Sequence, residues 1–235
     1  MIIGGVQKIS LIDFPGRISC VLFLTGCNFH CPYCHNPELA RGVPVDGLPI
    51  TPAQFYAFLE ARRSLLDGVV ISGGEPTLQD DLPAVCAAVK SLGFPVKLDT
   101  NGSRPHVLRH LVADGLVDYV AMDIKTDPRR YVPVFQSENG QETIQESIRI
   151  IMASAPAYEF RTTCAKPIID EAVIGFRRWY ETLEVVPTIV SLRSKVETIA
   201  QGELEKTMGT LDHLSAADKK AVERMTQAVE KVMTE

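Results

Sequence analysis

Short apolar runs alternate with amphipathic helical segments along most of this chain, and that alternation restricts the fold more than any single residue does. Ile18–Leu24 is an apolar run of strand length, repeated at Val69–Ser72, Val96–Asp99, Tyr119–Ile124, Tyr158–Thr163 and Val185–Leu192, the last interrupted by Pro187. Thr51-Pro52-Ala53-Gln54 reads as a capping box with proline at the first helical position, and the helix it opens carries Phe55, Phe58, Leu59 and Leu66 on one face. Helices are also predicted over Leu82–Leu92, stopped by Gly93, and over Pro105–Ala113, Thr143–Ala153 and Asp170–Leu183. Six strand–helix units call for parallel pairing with right-handed crossovers, hence an α/β sheet covered by helices. A complete eightfold barrel takes about 250 residues. Six units in 235 residues therefore predict either a partial barrel or an open doubly wound sheet. Both architectures bind ligands at the carboxyl ends of their strands.

From Lys195 onward the chain is charged and alanine-rich, without strand signals. Ser215–Glu235 reads as an amphipathic helix with Val222, Met225, Val229 and Val232 on one face, which either docks over the sheet or is offered to a partner. No repeat, low-complexity tract or linker divides the sequence. One domain over residues 1–235 is expected, with a core at about 15–192 and a C-terminal helical extension at about 193–235. A net charge of −5 argues against general nucleic-acid binding, which needs a basic face. No apolar stretch approaches the roughly 18 residues of a membrane helix, so no membrane association is expected. MIIGGVQKIS lacks the pattern of a secretory leader. The expected compartment is the cytoplasm, where thiols stay reduced and clustered cysteines point to a metal or redox site.

Of six cysteines, Cys27, Cys31 and Cys34 fall within one short loop, whereas Cys20, Cys86 and Cys164 stand alone. The segment Cys27-Asn28-Phe29-His30-Cys31-Pro32-Tyr33-Cys34-His35-Asn36 admits four chemistries. CPYC by itself is a glutaredoxin-like dithiol, but that leaves Cys27 without a role. CPYCH matches covalent haem attachment, which normally follows export. Three thiolates with His30 or His35 would complete a zinc site, although structural zinc cysteines usually come as two separated pairs. The fourth reading is a 4Fe–4S cluster on three thiolates, leaving one iron open to a ligand.

C-x3-C-x2-C with an aromatic residue before the last cysteine resembles the signature of the radical S-adenosylmethionine (SAM) superfamily. Ser72-Gly73-Gly74-Glu75-Pro76, after the second predicted strand, resembles that family's GGE motif. Asp99-Thr100-Asn101-Gly102 and Asp123-Ile124-Lys125 end the third and fourth. With Ser10-Leu11-Ile12-Asp13-Phe14-Pro15-Gly16 upstream and CHN closing the cysteine loop, these blocks resemble the glycyl-radical-enzyme activases. They are most similar to activators of anaerobic ribonucleoside-triphosphate reductase, and activators of pyruvate formate-lyase share most of them. The resemblance covers about residues 1–165. It departs at Cys164-Ala165-Lys166-Pro167, where relatives carry a proline-glycine loop, and the segment 191–209 matches nothing recognisable.

The resemblance implies a partial (β/α)6 barrel of the radical SAM type, a 4Fe–4S cluster and S-adenosyl-L-methionine. In such enzymes the reduced cluster gives one electron to the sulfonium, and the resulting 5′-deoxyadenosyl radical removes a hydrogen atom from a glycine Cα of a partner enzyme. On this resemblance Cys27, Cys31 and Cys34 ligate iron, and Tyr33 lies near the adenine. Gly73, Gly74 and Glu75 hold the methionine amino group. Asp99, Asp123 and Lys125 lie near SAM, where the carboxylates would also suit a monovalent cation. Arg161 is a further ligand contact, and Asp13 and His35 are contacts for the partner's glycyl loop. The implied partners are a glycyl radical enzyme, anaerobic ribonucleotide reductase first among them, and a flavodoxin or ferredoxin electron donor.

Overall fold

The computed structural model describes residues 2–45, 50–125 and 140–163. Six strands form one sheet in sequential order: β1 Ile3–Ser10, β2 Ser19–Leu24, β3 Gly68–Gly73, β4 Val96–Thr100, β5 Tyr119–Asp123 and β6 Tyr158–Arg161. β2 to β6 pair in parallel, as crossovers require, while β1 runs antiparallel to β2 at the edge. The helices are α1 Pro37–Ala40, α2 Pro52–Ala61, α3 Leu82–Ser91, α4 Pro105–Ala113 and α5 Gly140–Ser154. This is the α/β sheet the alternation predicts, in the partial-barrel form the resemblance implies.

The central strands read as continuous apolar runs because helices and loops bury both of their faces. Cys20, Leu22, Val69–Ile71, Val96 and Leu98 are all buried. Leu82, Cys86 and Val89 of α3, with Leu108 and Leu111 of α4 and Ile144, Ile148 and Ile151 of α5, are the buried helical residues that cover the sheet. α2 begins as its sequence dictates. Thr51 Oγ1 accepts from Gln54 N at 3.2 Å while Gln54 Oε1 accepts from Thr51 N at 2.8 Å. Phe55, Leu59 and, beyond the helix, Leu66 are buried, with Phe58 half-buried beside them.

β1 escaped the periodicity because its register shifts twice and two glycines interrupt its apolar pattern. A Cβ on Gly4 would stand 2.3 Å from Leu39 Cδ2, so glycine is what lets α1 sit directly on this strand. β1 is therefore the strand of the described sheet that the sequence did not announce, at its amino-terminal edge. The strand predicted at Val185–Leu192, the helices predicted at Asp170–Leu183 and Ser215–Glu235, and Cys164 lie outside the described residues. Set against the expectation of one domain over 1–235, chain contacts divide the molecule into two compact units, Met1–Phe176 and Arg177–Glu235.

The β1–β2 connection closes the amino end of the parallel strands. Phe14 is buried against Val21 and Val70, with Phe23 and Tyr119 beside them, and its ring meets Tyr119 edge-on at 6.0 Å. Lys97, 1% exposed, donates to the main-chain oxygen of Asp13. Its ammonium also stands 3.2 Å from Glu159 and 3.4 Å from Asp99. Lys97 thus ties the closing loop to the strands that carry the site.

Candidate active site

The carboxyl ends of β2 to β6 surround a cavity of about 280 Å³. Cys27, Cys31, Tyr33, Cys34 and His35 line it from the loop after β2, and Ser72, Gly73, Gly74 and Glu75 from the end of β3. Asp99, Thr100 and Asn101 line it from β4, Asp123 and Lys125 from β5, and Arg161 and Thr163 from β6. Residues as far apart in sequence as Cys27 and Arg161 thus meet because parallel strands bring all their carboxyl ends to one side.

Among the residues that the resemblance nominated, only Asp13 falls outside this lining. It sits in the loop at the opposite end of the strands, where its carboxylate accepts from Ser10 Oγ at 2.5 Å. Asn101, Thr100, Ser72, Phe29, Asn36 and Thr163 line the cavity without having been singled out for it. The DTNG block pointed to the first two, but nothing local distinguished a lining Asn101 from an ordinary Asx turn.

The two glycines of the GGE motif serve the backbone. Gly73 has φ +118°, and a Cβ there would lie 2.2 Å from the Leu24 carbonyl oxygen. A Cβ on Gly74 would lie 2.0 Å from the Gly26 carbonyl oxygen. This close approach lets Gly74 N donate to Leu24 O and Glu75 N to Gly26 O, both at 2.8 Å. The end of β3 is thereby stitched to the chain that enters the cysteine loop.

Glu75 is an internal brace. It is 1% exposed. Its Oε1 accepts from Thr77 N at 3.1 Å, Thr77 Oγ1 at 2.5 Å and Thr100 Oγ1 at 2.7 Å. Its Oε2 accepts from Asn101 N at 2.6 Å. Burial pushes its carboxyl above the usual carboxylate range, against the pull of these donors. They occupy much of the acceptor capacity that the resemblance would offer to the SAM ammonium.

Opposite the cysteines stands a charge network. Arg161 Nε is 3.1 Å from Asp123 Oδ1 and its Nη2 is 3.4 Å from Asp99 Oδ2. Lys125 Nζ is 2.8 Å from Asp123 Oδ2. Burial alone would lower the basicity of Arg161, but Asp99, Asp123 and Glu159 outweigh it and raise it. Burial drives the Asp99 carboxyl upward, opposed by Arg161 and Lys97. Asp99 Oδ1 is buried without a hydrogen bond and has the Lys97 ammonium 3.4 Å away as its charge partner. With Arg161 between Asp99 and Asp123, and Lys97 and Lys125 on their other sides, the carboxylates are already neutralised. The arrangement lends no support to a monovalent cation.

Burial raises Cys27 to about 11, with smaller contributions from Glu75, Cys31 and Cys34. Burial raises Cys31 as well, against the nearby Lys125. Cys20 and Cys86, fully buried and pushed up to about 12 by burial, are inert core thiols. The donor set fits a cluster with three thiolate ligands. Cys27, Cys31 and Cys34 rim one cavity, and the wall facing them carries Asp99, Asp123, Lys125 and Arg161.

Comparison with known proteins agrees with this geometry: the chain belongs to the radical SAM superfamily, whose profile matches residues 21–159. Membership implies a 4Fe–4S cluster and SAM, and it displaces the dithiol, haem and zinc readings of the cysteine loop. The chain is 37% identical over 179 residues to a Methanocaldococcus jannaschii protein provisionally named a glycyl-radical enzyme activating enzyme, covering 72% of this chain and 71% of that one. It is 28% identical over 209 residues to 7-carboxy-7-deazaguanine synthase of Thermococcus kodakarensis, covering 80% and 79%. The fold resembles that of anSMEcpe with bound AdoMet (TM-score 0.52, 15% identity), over 69% of this chain and 48% of that one.

Residues 164–235 match a second profile, that of the glutamyl-tRNA reductase dimerisation domain. Over 65 residues the chain is 46% identical to glutamyl-tRNA reductase of Syntrophotalea carbinolica, covering 28% of this chain and 15% of that one. The second match begins where the resemblance to activases ends. Sequence reading assigned residues up to about 192 to the core and about 193–235 to a helical extension, because the chain from Lys195 onward is charged and alanine-rich without strand signals. No described helix is long and apolar enough to cross a membrane.

Proposed function

We propose that this protein activates a glycyl radical enzyme, with anaerobic ribonucleotide reductase as the partner. The observation that carries the reading is the 37% identity, over 72% of the chain, to a protein named for that activity. The SLIDFPG block and the CHN extension support it, as does the small cysteine complement, which provides no ferredoxin-type quartet for further clusters. When bound, the cluster supplies the electron that cleaves SAM into methionine and a 5′-deoxyadenosyl radical. The chain's own residues position and shield. Cys27, Cys31 and Cys34 would hold the iron, and Asp99, Asp123, Lys125 and Arg161, which line the facing wall, would orient SAM across the cavity. Tyr33 packs beside the adenine, and its hydroxyl, donating to Lys125 O at 3.0 Å, ties the cysteine loop to the end of β5. His35, at the cavity edge, meets the incoming glycyl loop. The electron donor is a flavodoxin or ferredoxin, and the compartment is the cytoplasm.

Reduced, SAM-loaded protein mixed with the anaerobic reductase of the same organism should give a glycyl radical doublet by electron paramagnetic resonance. Its hydrogen splitting should disappear when the target glycine is deuterated at Cα. A signal on pyruvate formate-lyase alone would move the assignment to the sister activase. The 28% identity to 7-carboxy-7-deazaguanine synthase over 80% of the chain favours a second reading, an enzyme acting on a small molecule. Signal on neither partner, with SAM consumed alongside a small metabolite, would establish that reading instead.

The C-terminal segment is proposed to join two copies of the chain, supported by its match to a dimerisation domain and by the apolar seam of Val222, Met225, Val229 and Val232. Sedimentation should find two chains per particle, and one after Val222 and Val229 are both replaced by glutamate. A monomeric parent protein would return the segment to a helix docked on its own chain.

A further inference from the structure

We propose that Asn101 is a positioning residue for the cluster, its side-chain amide donating to Cys27 Sγ and thereby raising the cluster's reduction potential. The inference rests on the assignment of Cys27 as an iron ligand. Asn101 is 5% exposed and held at every polar atom that faces the loop. Its main-chain N–H donates to Glu75 Oε2 at 2.6 Å, and its Oδ1 accepts from Ser103 N at 2.9 Å. The second contact fixes the amide's orientation, because the oxygen must face Ser103 N–H and the nitrogen must face the cysteine loop. There Nδ2 donates to Asn28 Oδ1 at 3.1 Å and stands 3.9 Å from Cys27 Sγ, within reach of a hydrogen bond to sulfur. Asn28 in turn donates to Ser103 Oγ at 3.0 Å.

Cys27 therefore faces two N–H groups, the main-chain N–H of Phe29 at 3.4 Å and the Asn101 amide. Adding an electron to an iron–sulfur cluster increases the negative charge on its sulfurs. Donors aimed at those sulfurs favour the reduced state, and losing one makes reduction harder. The Phe29 donor belongs to the main chain of the loop, so Asn101 is the adjustable one. Glu75 gives this arrangement its reach. Its buried carboxylate holds the Asn101 backbone, so the GGE motif acts on the cluster through the end of β4.

The test is a redox titration of the reconstituted full-length protein, followed by the reduced-cluster paramagnetic signal, for parent, Asn101→Leu, Asn101→Asp and Asn28→Ala. At the potential that half-reduces the parent, Asn101→Leu should lower the ratio of reduced to oxidised cluster by roughly threefold to tenfold, the worth of one hydrogen bond. Asn101→Asp, which adds a negative charge at the same place, should lower it further. Asn28→Ala leaves the donor to Cys27 in place and should shift the ratio least. Equal potentials in all four proteins, each holding about four irons, would overturn the proposal. Failure of both Asn101 variants to retain iron while their melting curves match the parent would also overturn it, reducing Asn101 to a tether of the loop.

Discussion

Replacing any one of Cys27, Cys31 or Cys34 by alanine should abolish SAM cleavage, whereas Cys20→Ala and Cys86→Ala should leave it largely intact. The three loop thiols rim the cavity, and no other cysteine among the described residues lines it. Loss of one would leave a second iron without a protein ligand, a cluster the site cannot hold in register with SAM. Cys20 and Cys86 are buried in β2 and α3, so their truncation is a packing matter worth about 1 kcal/mol. Iron and acid-labile sulfide should be counted in each variant beside the 5′-deoxyadenosine formed from SAM under reducing, anaerobic conditions. Full turnover by a Cys34→Ala protein that still holds its iron would remove Cys34 from the ligand set. The same experiment on Cys20→Ala controls for general damage, since both thiols are about as small.

Gly74→Ala should be strongly destabilising and should prevent the cysteine loop from seating. Its Cβ would meet the Gly26 carbonyl oxygen at 2.0 Å, and neither backbone can retreat without breaking the paired bonds from Gly74 N to Leu24 O and from Glu75 N to Gly26 O. Overpacking of this kind costs about 1–3 kcal/mol, occasionally more, and the displaced strand end is the one that seats the cysteine loop. Gly93→Ala is the comparison. Gly93 has φ +86° with open space around its Cβ position, so alanine there meets only the left-handed backbone penalty of roughly 1–2 kcal/mol. Both variants should melt earlier than the parent, but only Gly74→Ala should fail to take up iron. Retention of the full cluster by Gly74→Ala would show that the loop tolerates a displaced β3 end.

Much of the framework was legible because it is written in local chemistry. The capping box at Thr51 needs only four residues to specify itself, and the structure contains both of its reciprocal bonds. The buried parallel strands β2 and β3 announce themselves as continuous apolar runs, since burial on both faces leaves no room for polar alternation. β1 did not, because glycines and bulges erase the very alternation by which an edge strand is recognised. The change near residue 164 was visible only as the end of a resemblance, and the similarity to the glutamyl-tRNA reductase dimerisation domain emerges through identity over 65 residues.

The site divides along the same line. The spacing of Cys27, Cys31 and Cys34 determines three thiolates in one loop, and the turns after the apolar runs determine which residues stand at strand ends. Roles within the cavity depended on atoms that meet across long separations. Glu75, in a motif that resembles a ligand contact, is also an internal brace, accepting from Thr77, Thr100 and Asn101. Gly73 and Gly74 make room for Leu24 and Gly26, which no pattern within the GGE motif could reveal. Asp13 lies at the far end of the strands, held beneath Lys97, although it belongs to a block that marks the family. Residue type and spacing decide what chemistry a loop can offer. Which donors reach which acceptors is decided by tertiary packing, because the hydrogen-bond capacity of a buried group is finite and its nearest neighbours in space take it first.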